Sequence, residues 1–170
     1  VIETMAAHWP AFAVAGVLAL LVAVIGGVLT EIGPWYNSLR FPSWKPPNWL
    51  FGPVWTTIFT LCVISAGLAW AGSAGGQRNW LVALFALNAG FNILWNILFF
   101  KLRRPDWALV ETAFLWLSVA ALMLFIWPIS STASLLLAPY LTWVTIAGCL
   151  NLAIVRLNAP FAGVAKLRST

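Results

Sequence analysis

Three asparagines, Asn88, Asn92 and Asn96, recur every four residues inside an otherwise apolar run. That spacing lines them along one stripe of a helix. An amide left unpaired in hydrocarbon costs several kcal/mol, so the stripe must face protein, water or a ligand. Trp95, three residues beyond Asn92, lies close to the same face. A second apolar run supplies Thr142, Trp143, Ala147 and Asn151. Trp143 and Ala147 are one helical turn apart, and the small Ala leaves room beside the indole. Amides at the rim and flat rings in the wall describe a cavity for a large planar apolar ligand. Interhelical hydrogen bonding alone would also satisfy these amides. Glu111 is the lone acid within the apolar runs, and an intramembrane Glu is a functional-site hypothesis by default. It stands near the start of its helix, which favours a capping role or an ion pair with Arg103 or Arg104.

An enzymatic reading finds little in these residues. His8 is the only histidine, so Ser-His-Asp triads and His-based metal-hydrolase sites are out of reach. No Gly-rich phosphate loop occurs. Cys62 and Cys149 sit inside apolar runs without a metal-ligand pattern and read as small packing residues. No metal site and no obligatory cofactor is expected.

The elements that must position these side chains follow from composition. The chain is 62% hydrophobic and 8% charged, with mean hydropathy +0.94, far from soluble globular usage. Five apolar runs, 10–30, 53–71, 79–100, 107–128 and 132–155, approach the roughly 20 residues that a spanning helix needs. Barrel strands would alternate apolar and polar over roughly 10 residues, and these runs do not. The expected fold is all-α: a five-transmembrane-helix bundle forming one membrane domain over residues 1–170. The first run lacks a basic flank and is too long for a signal peptide, so it reads as a permanent helix. Short connections at 72–78 and 129–131 make consecutive helices antiparallel neighbours. Ala11, Ala15, Ala19, Ala23 and Gly27 form a small-residue ladder on the first helix, suited to close packing within the chain or to a dimer contact.

Between the first two helices, residues 34–52 form a loop of unusual chemistry. The run WYNSLRFPSWKPPNWLFGPVW, residues 35–55, holds four Trp, one Tyr, two Phe and four Pro. Each Pro fixes its own φ and biases its predecessor toward extended backbone. The segment therefore reads as a stiff aromatic lid, with Trp35, Trp44, Pro47 and Trp49 among its residues. Trp9, Trp35, Trp70, Trp80, Trp107 and Trp127 lie near span ends, where indoles favour the headgroup region. Trp55, Trp95, Trp116 and Trp143 lie inside spans and are the candidates for ligand contact. Arg40, Lys45, Lys101, Arg103, Arg104, Arg156, Lys166 and Arg168 fall on the lid side, against Arg78 alone on the other. The positive-inside rule places the C-terminus and the lid in the cytoplasm if the membrane is an inner one. The net charge of +5 then reflects topology and lipid headgroups, not nucleic acid.

WYNSLRFPSWKPPNW followed by GPVWT resembles the first loop and second helix of the translocator protein family, whose bacterial members are called tryptophan-rich sensory proteins and whose mammalian member is the peripheral benzodiazepine receptor. FNILWNILFF, RRPDWA and APYLTWVTIAGCLN continue the resemblance in order. It implies a bacterial, usually dimeric, multi-pass membrane receptor that binds porphyrins (haem or another tetrapyrrole) and apolar drug-like ligands beneath the first loop. Carried over by position, it implies a ligand wall of Tyr36, Pro46, Trp55, Asn92, Trp95, Trp143 and Ala147. A sensor, scavenger or carrier role in stress or tetrapyrrole regulation is the implied function. Light-dependent porphyrin degradation, with oxidation at Trp55 or Trp143, is the enzymatic alternative. A small secondary transporter is the third, and lacks the repeats and midplane charge pairs such folds show. The aromatic–basic sterol pattern of animal members is missing, because LNLAIVRLN has no Tyr before Arg156.

Overall fold

The computed structural model describes residues 2–161; Lys166 and Arg168 of the basic tally lie outside them. A short helix, α1 (Ile2–Ala7), leads into α2 (Trp9–Leu29). The lid follows and contains α3 (Pro34–Ser38). The remaining helices are α4 (Asn48–Gly72), α5 (Gly76–Asn96), α6 (Pro105–Ile126), α7 (Ser131–Leu135) and α8 (Ala138–Asn158). Five segments are long and apolar enough to cross a membrane, with α5 continued by a π turn (Ile97–Lys101) and α7–α8 counted together. No strand occurs among the described residues.

Three departures from expectation go beyond end shifts of one to three residues. The second span begins at Asn48, not at 53, so the lid ends five residues early. Pro53 lies inside this helix. Its missing N–H leaves a carbonyl one turn back without its usual donor, a defect tolerable close to a helix end. The third span does not run straight to 100: it widens into a π turn in which Leu102 N–H reaches Ile97 O at 2.9 Å. The chain then reverses through Arg103 at φ 54°, a left-handed conformation uncommon for a residue with a side chain. The last span is broken after Leu135 and restarts at Ala138, where Pro139 occupies the first turn. Proline is well placed there because its missing donor is an orphan anyway.

The core is layered along the bundle. At the lid end, Tyr36, Phe99, Phe100, Ala108, Leu150 and Ile154 cluster. The middle layer joins Ile58, Leu115, Val119, Tyr140, Trp143 and Val144. At the far end Ala69, Leu81, Leu122, Ile126, Ala133 and Leu137 close the bundle. Helix α2 packs on α4, where Phe12 lies directly over Gly67 and leaves no room for a Cβ. The ladder residues Ala11, Ala15, Ala19 and Ala23 are half-buried and Gly27 is exposed. Val14, Val17, Leu18, Leu21, Val24 and Val28 on the other faces of α2 are exposed, as a lipid-facing helix requires.

Candidate functional site: the lid, the amide stripe and the groove beside Trp143

The lid is held at both ends of its path. Tyr36 is buried, with ring centroids 5.0 Å from Phe41 and 5.9 Å from Phe100. Trp35 stands edge-on to Phe99 at 5.9 Å. Lys45 covers the Phe41 ring at 4.6 Å and donates to Asn48 Oδ1, which also accepts from the Tyr36 hydroxyl at 3.4 Å. Partial burial holds the Lys45 ammonium below the ordinary lysine range and the Tyr36 phenol above the ordinary tyrosine range. Farther along, Asn158 at the end of α8 clasps the backbone of Arg40. Its Oδ1 accepts from Arg40 N–H at 2.8 Å, and its Nδ2 donates to Arg40 O at 2.9 Å. No spacing argument pointed to Asn158, because its partner is a main-chain unit 118 residues away.

Below the lid, the asparagine stripe divides its partners. Asn88 donates to Ser118 Oγ on α6 at 2.8 Å and accepts from the Tyr140 hydroxyl of α8 at 3.2 Å. Asn92 Nδ2 donates to the Tyr140 oxygen at 3.2 Å. Tyr140 thus ties α5 to α8 through two amides in the buried middle layer. Asn96 turns elsewhere: it accepts from Thr30 Oγ1 at 3.2 Å and donates to the Asn92 carbonyl at 3.0 Å. Trp95 donates its indole N–H to Thr112 Oγ1 at 3.0 Å and stacks on Phe99 at 4.9 Å. Asn151 spans the first turn of α6, donating to Pro105 O at 3.1 Å and accepting from Leu109 N–H at 3.0 Å.

Trp143 occupies the middle layer with Phe51 edge-on at 5.4 Å. Trp55, from the first turns of α4, stands edge-on to Tyr140 at 5.9 Å. Between α4 and α8 the backbones separate and leave a groove of 540 Å³ lined by Pro53, Val54, Thr57, Ile58, Ala138, Pro139, Thr142, Trp143 and Ile146. Its rim residues Pro53, Thr57, Thr142 and Ile146 are exposed, so it opens on the outer face of the bundle. The volume lies within the range of small-molecule sites, and the lining is apolar with two hydroxyls, as such sites usually are.

The expected wall residues do not all meet at this groove. Trp143 lines it, and Trp55 and Asn92 contact the same Tyr140 ring or hydroxyl one layer in. Ala147 is half-buried one turn from Trp143 and does not line the groove. Tyr36, Trp95 and half-buried Pro46 belong to the lid end, above the groove. Of the lid residues, Trp35 packs inward while Trp44, Pro47 and Trp49 are exposed. Trp116, the remaining mid-span candidate for ligand contact, is exposed and donates to Thr145 Oγ1 at 2.9 Å on the outer seam of α6 and α8, outside the groove lining. One expectation fails. Glu111 forms no ion pair with Arg103 or Arg104: Arg104 is bound by Asp106 at 2.8 Å, and Arg103 sits over Trp35 at 5.9 Å. The local pair wins because Asp106 is two residues from Arg104 in the exposed turn, whereas Glu111 faces inward.

The match to known proteins decides the family. The TspO/MBR family model covers residues 13–157. The chain belongs to the TspO/MBR family. It is 40% identical over 149 residues to the tryptophan-rich protein TspO of Archaeoglobus fulgidus, covering 86% of this chain and 96% of that one. Protein CrtK of Rhodobacter capsulatus is 39% identical over 136 residues, 78% of this chain and 83% of the relative. The human translocator protein is 33% identical over 135 residues, 78% and 80% respectively. TspO/MBR membership and five spanning helices together make this a multi-pass membrane protein.

Proposed function

We propose that this TspO/MBR protein binds porphyrins and other planar apolar ligands within the membrane, acting as a sensor, scavenger or carrier. The observation that carries the reading is Trp143: a buried indole, edge-on to Phe51, forming part of a 540 Å³ apolar groove between α4 and α8. An aromatic ligand against such a ring gains ~0.5–1.5 kcal/mol beyond area burial. The bonded Asn88–Tyr140–Asn92 set fixes the back of the site, and the lid, clasped by Asn158, covers its end. The names of the relatives, which include "tryptophan-rich sensory protein" and "translocator protein", agree with a receptor or carrier role.

The lid end carries Arg40, Lys45, Lys101, Arg103, Arg104 and Arg156, while Arg78 stands at the other end over Trp70 at 4.7 Å. This asymmetry supports a lid facing the cytoplasm in an inner membrane. Binding is tested by porphyrin titration of the purified protein with tryptophan fluorescence as readout. Saturable quenching is expected. Purely linear quenching, equal to that of free tryptophan, would refute the reading. Porphyrin absorbance before and after illumination of the complex, with mass analysis of products, distinguishes holding from degradation.

A further inference from the structure

Among the described residues, Glu111 is the buried polar side chain whose atoms find no partner. It is 4% exposed, and neither carboxyl oxygen makes a hydrogen bond. Its helix neighbours fix its direction. Thr112 beside it takes the Trp95 indole N–H, and Leu115 one turn on packs in the layer of Tyr140 and Trp143. Ser118, two turns on along the same stripe, bonds Asn88. Ala108, one turn back, belongs to the lid-end cluster. Glu111 therefore lies on the inward face of α6, between the lid layer and the Trp143 layer.

The nearby cations are engaged elsewhere. Lys101 pairs with Glu31 at 3.6 Å, Arg104 with Asp106, Arg103 covers Trp35, and Lys45 bonds Asn48. A carboxyl group held in an apolar interior without a donor is expensive to keep, and more so when ionised. Among the described residues no other buried side-chain nitrogen or oxygen lacks a partner. A structural acid would be expected to bond Thr112, Trp95 or an Asn, and each of these has a different partner. What fits the orphaned group is a donor that arrives with the ligand.

We propose that Glu111 is a polar anchor inside the bundle, between the lid-end layer and the Trp143 layer, and favours planar apolar ligands that carry a protonated amine. The proposal rests on the ligand-binding reading above and adds the class of ligand. An ammonium or amidinium supplies both the missing charge and the missing N–H donors. A neutral ligand of equal shape satisfies the rings and leaves the acid unpaired.

The test uses two fluorescent probes of nearly one shape: aminoacridine, cationic at neutral pH, and acridine, largely neutral there. Both are titrated into the full-length protein in an uncharged detergent, for the wild type, Glu111→Gln and Glu111→Asp. In the wild type, aminoacridine should bind about tenfold or more tightly than acridine, the worth of one charge-assisted hydrogen bond. That ratio should collapse toward one in Glu111→Gln and persist in Glu111→Asp, which keeps the acid. A wild-type ratio near one overturns the inference without recourse to any variant, and an unchanged ratio in Glu111→Gln removes Glu111 as its source. Failure of wild-type protein to bind either probe refutes the ligand-binding reading itself, a result distinct from binding without preference.

Discussion

At the scale of single residues, side chains that hold the bundle differ from those proposed to face a ligand. Asn88 is of the first kind: replacing it with Ala takes the acceptor from the Tyr140 hydroxyl and the N–H donor from the Ser118 oxygen in the buried middle layer. About 1–3 kcal/mol of stability should be lost, read as a lowered melting temperature in detergent; an unchanged melt would show that these groups re-pair at no cost. Ala147, expected in the ligand wall but outside the groove lining, is the position that tells the two kinds apart. Ala147→Thr adds a methyl and a hydroxyl one turn from Trp143, and overpacking a filled site costs ~1–3 kcal/mol, roughly tenfold or more in affinity. The helix should accept Thr, since its hydroxyl can bond the carbonyl one turn earlier, as Thr142 and Thr145 already do. Unchanged porphyrin affinity together with a lowered melting temperature would make Ala147 a packing residue instead. The amide stripe was legible because a four-residue spacing in hydrocarbon has few readings. Its partners were not: Tyr140 and Ser118 carry no periodic signal, and only the folded chain brings them within 3.2 Å of the amides. For Trp116, mid-span position alone does not say whether the ring faces the core or the outer seam of α6 and α8, where it lies.

At the scale of elements, apolar length located all five spans, and the errors fall where backbone chemistry overrides hydropathy. Asn48–Gly52 join α4 although they read as lid, because an extended Pro47 at the N-cap lets the helix begin there. The π turn at Ile97–Lys101 involves no change in composition, so nothing in the residue types announces it, whereas Pro139 does mark the restart after the break at Leu135. The lid reads as stiff from its prolines, but its clasp does not, since Asn158 binds main chain. Asn158→Ala removes both bonds to Arg40 and should loosen the lid by about 1–3 kcal/mol. Hydrogen exchange across residues 35–47 is expected to quicken while exchange within α5 and α6 stays unchanged. Equal protection of the lid in variant and wild type would mean that aromatic packing alone closes it. Gly67 offers a complementary check on α2. Because Phe12 leaves no space for a Cβ there, Gly67→Ala should cost about 1–3 kcal/mol by overpacking, seen as a lower melting temperature.

For the whole molecule, charge and aromatic surface are both polarised toward one end. Six described basic residues surround the lid end, and that asymmetry was readable before any coordinates because spans alternate sides. A reporter fused after Thr170 should be active on the cytoplasmic side of an inner membrane; activity restricted to the opposite side would invert the topology. Along the same axis the proposed site orders an aromatic lid, an unpartnered acid beneath it, and the Trp143 layer beside the groove. The most direct test of ligand capture at that layer is a porphyrin titration of Trp143→Ala beside Trp107→Ala. Trp107 is 58% exposed at the start of α6, whereas Trp143 is 9% exposed beside the groove. Loss of ~0.5–1.5 kcal/mol of aromatic contact, beyond area burial, should weaken binding several-fold or more in Trp143→Ala and leave Trp107→Ala close to wild type. Equal affinity in the two variants would contradict a porphyrin site at Trp143.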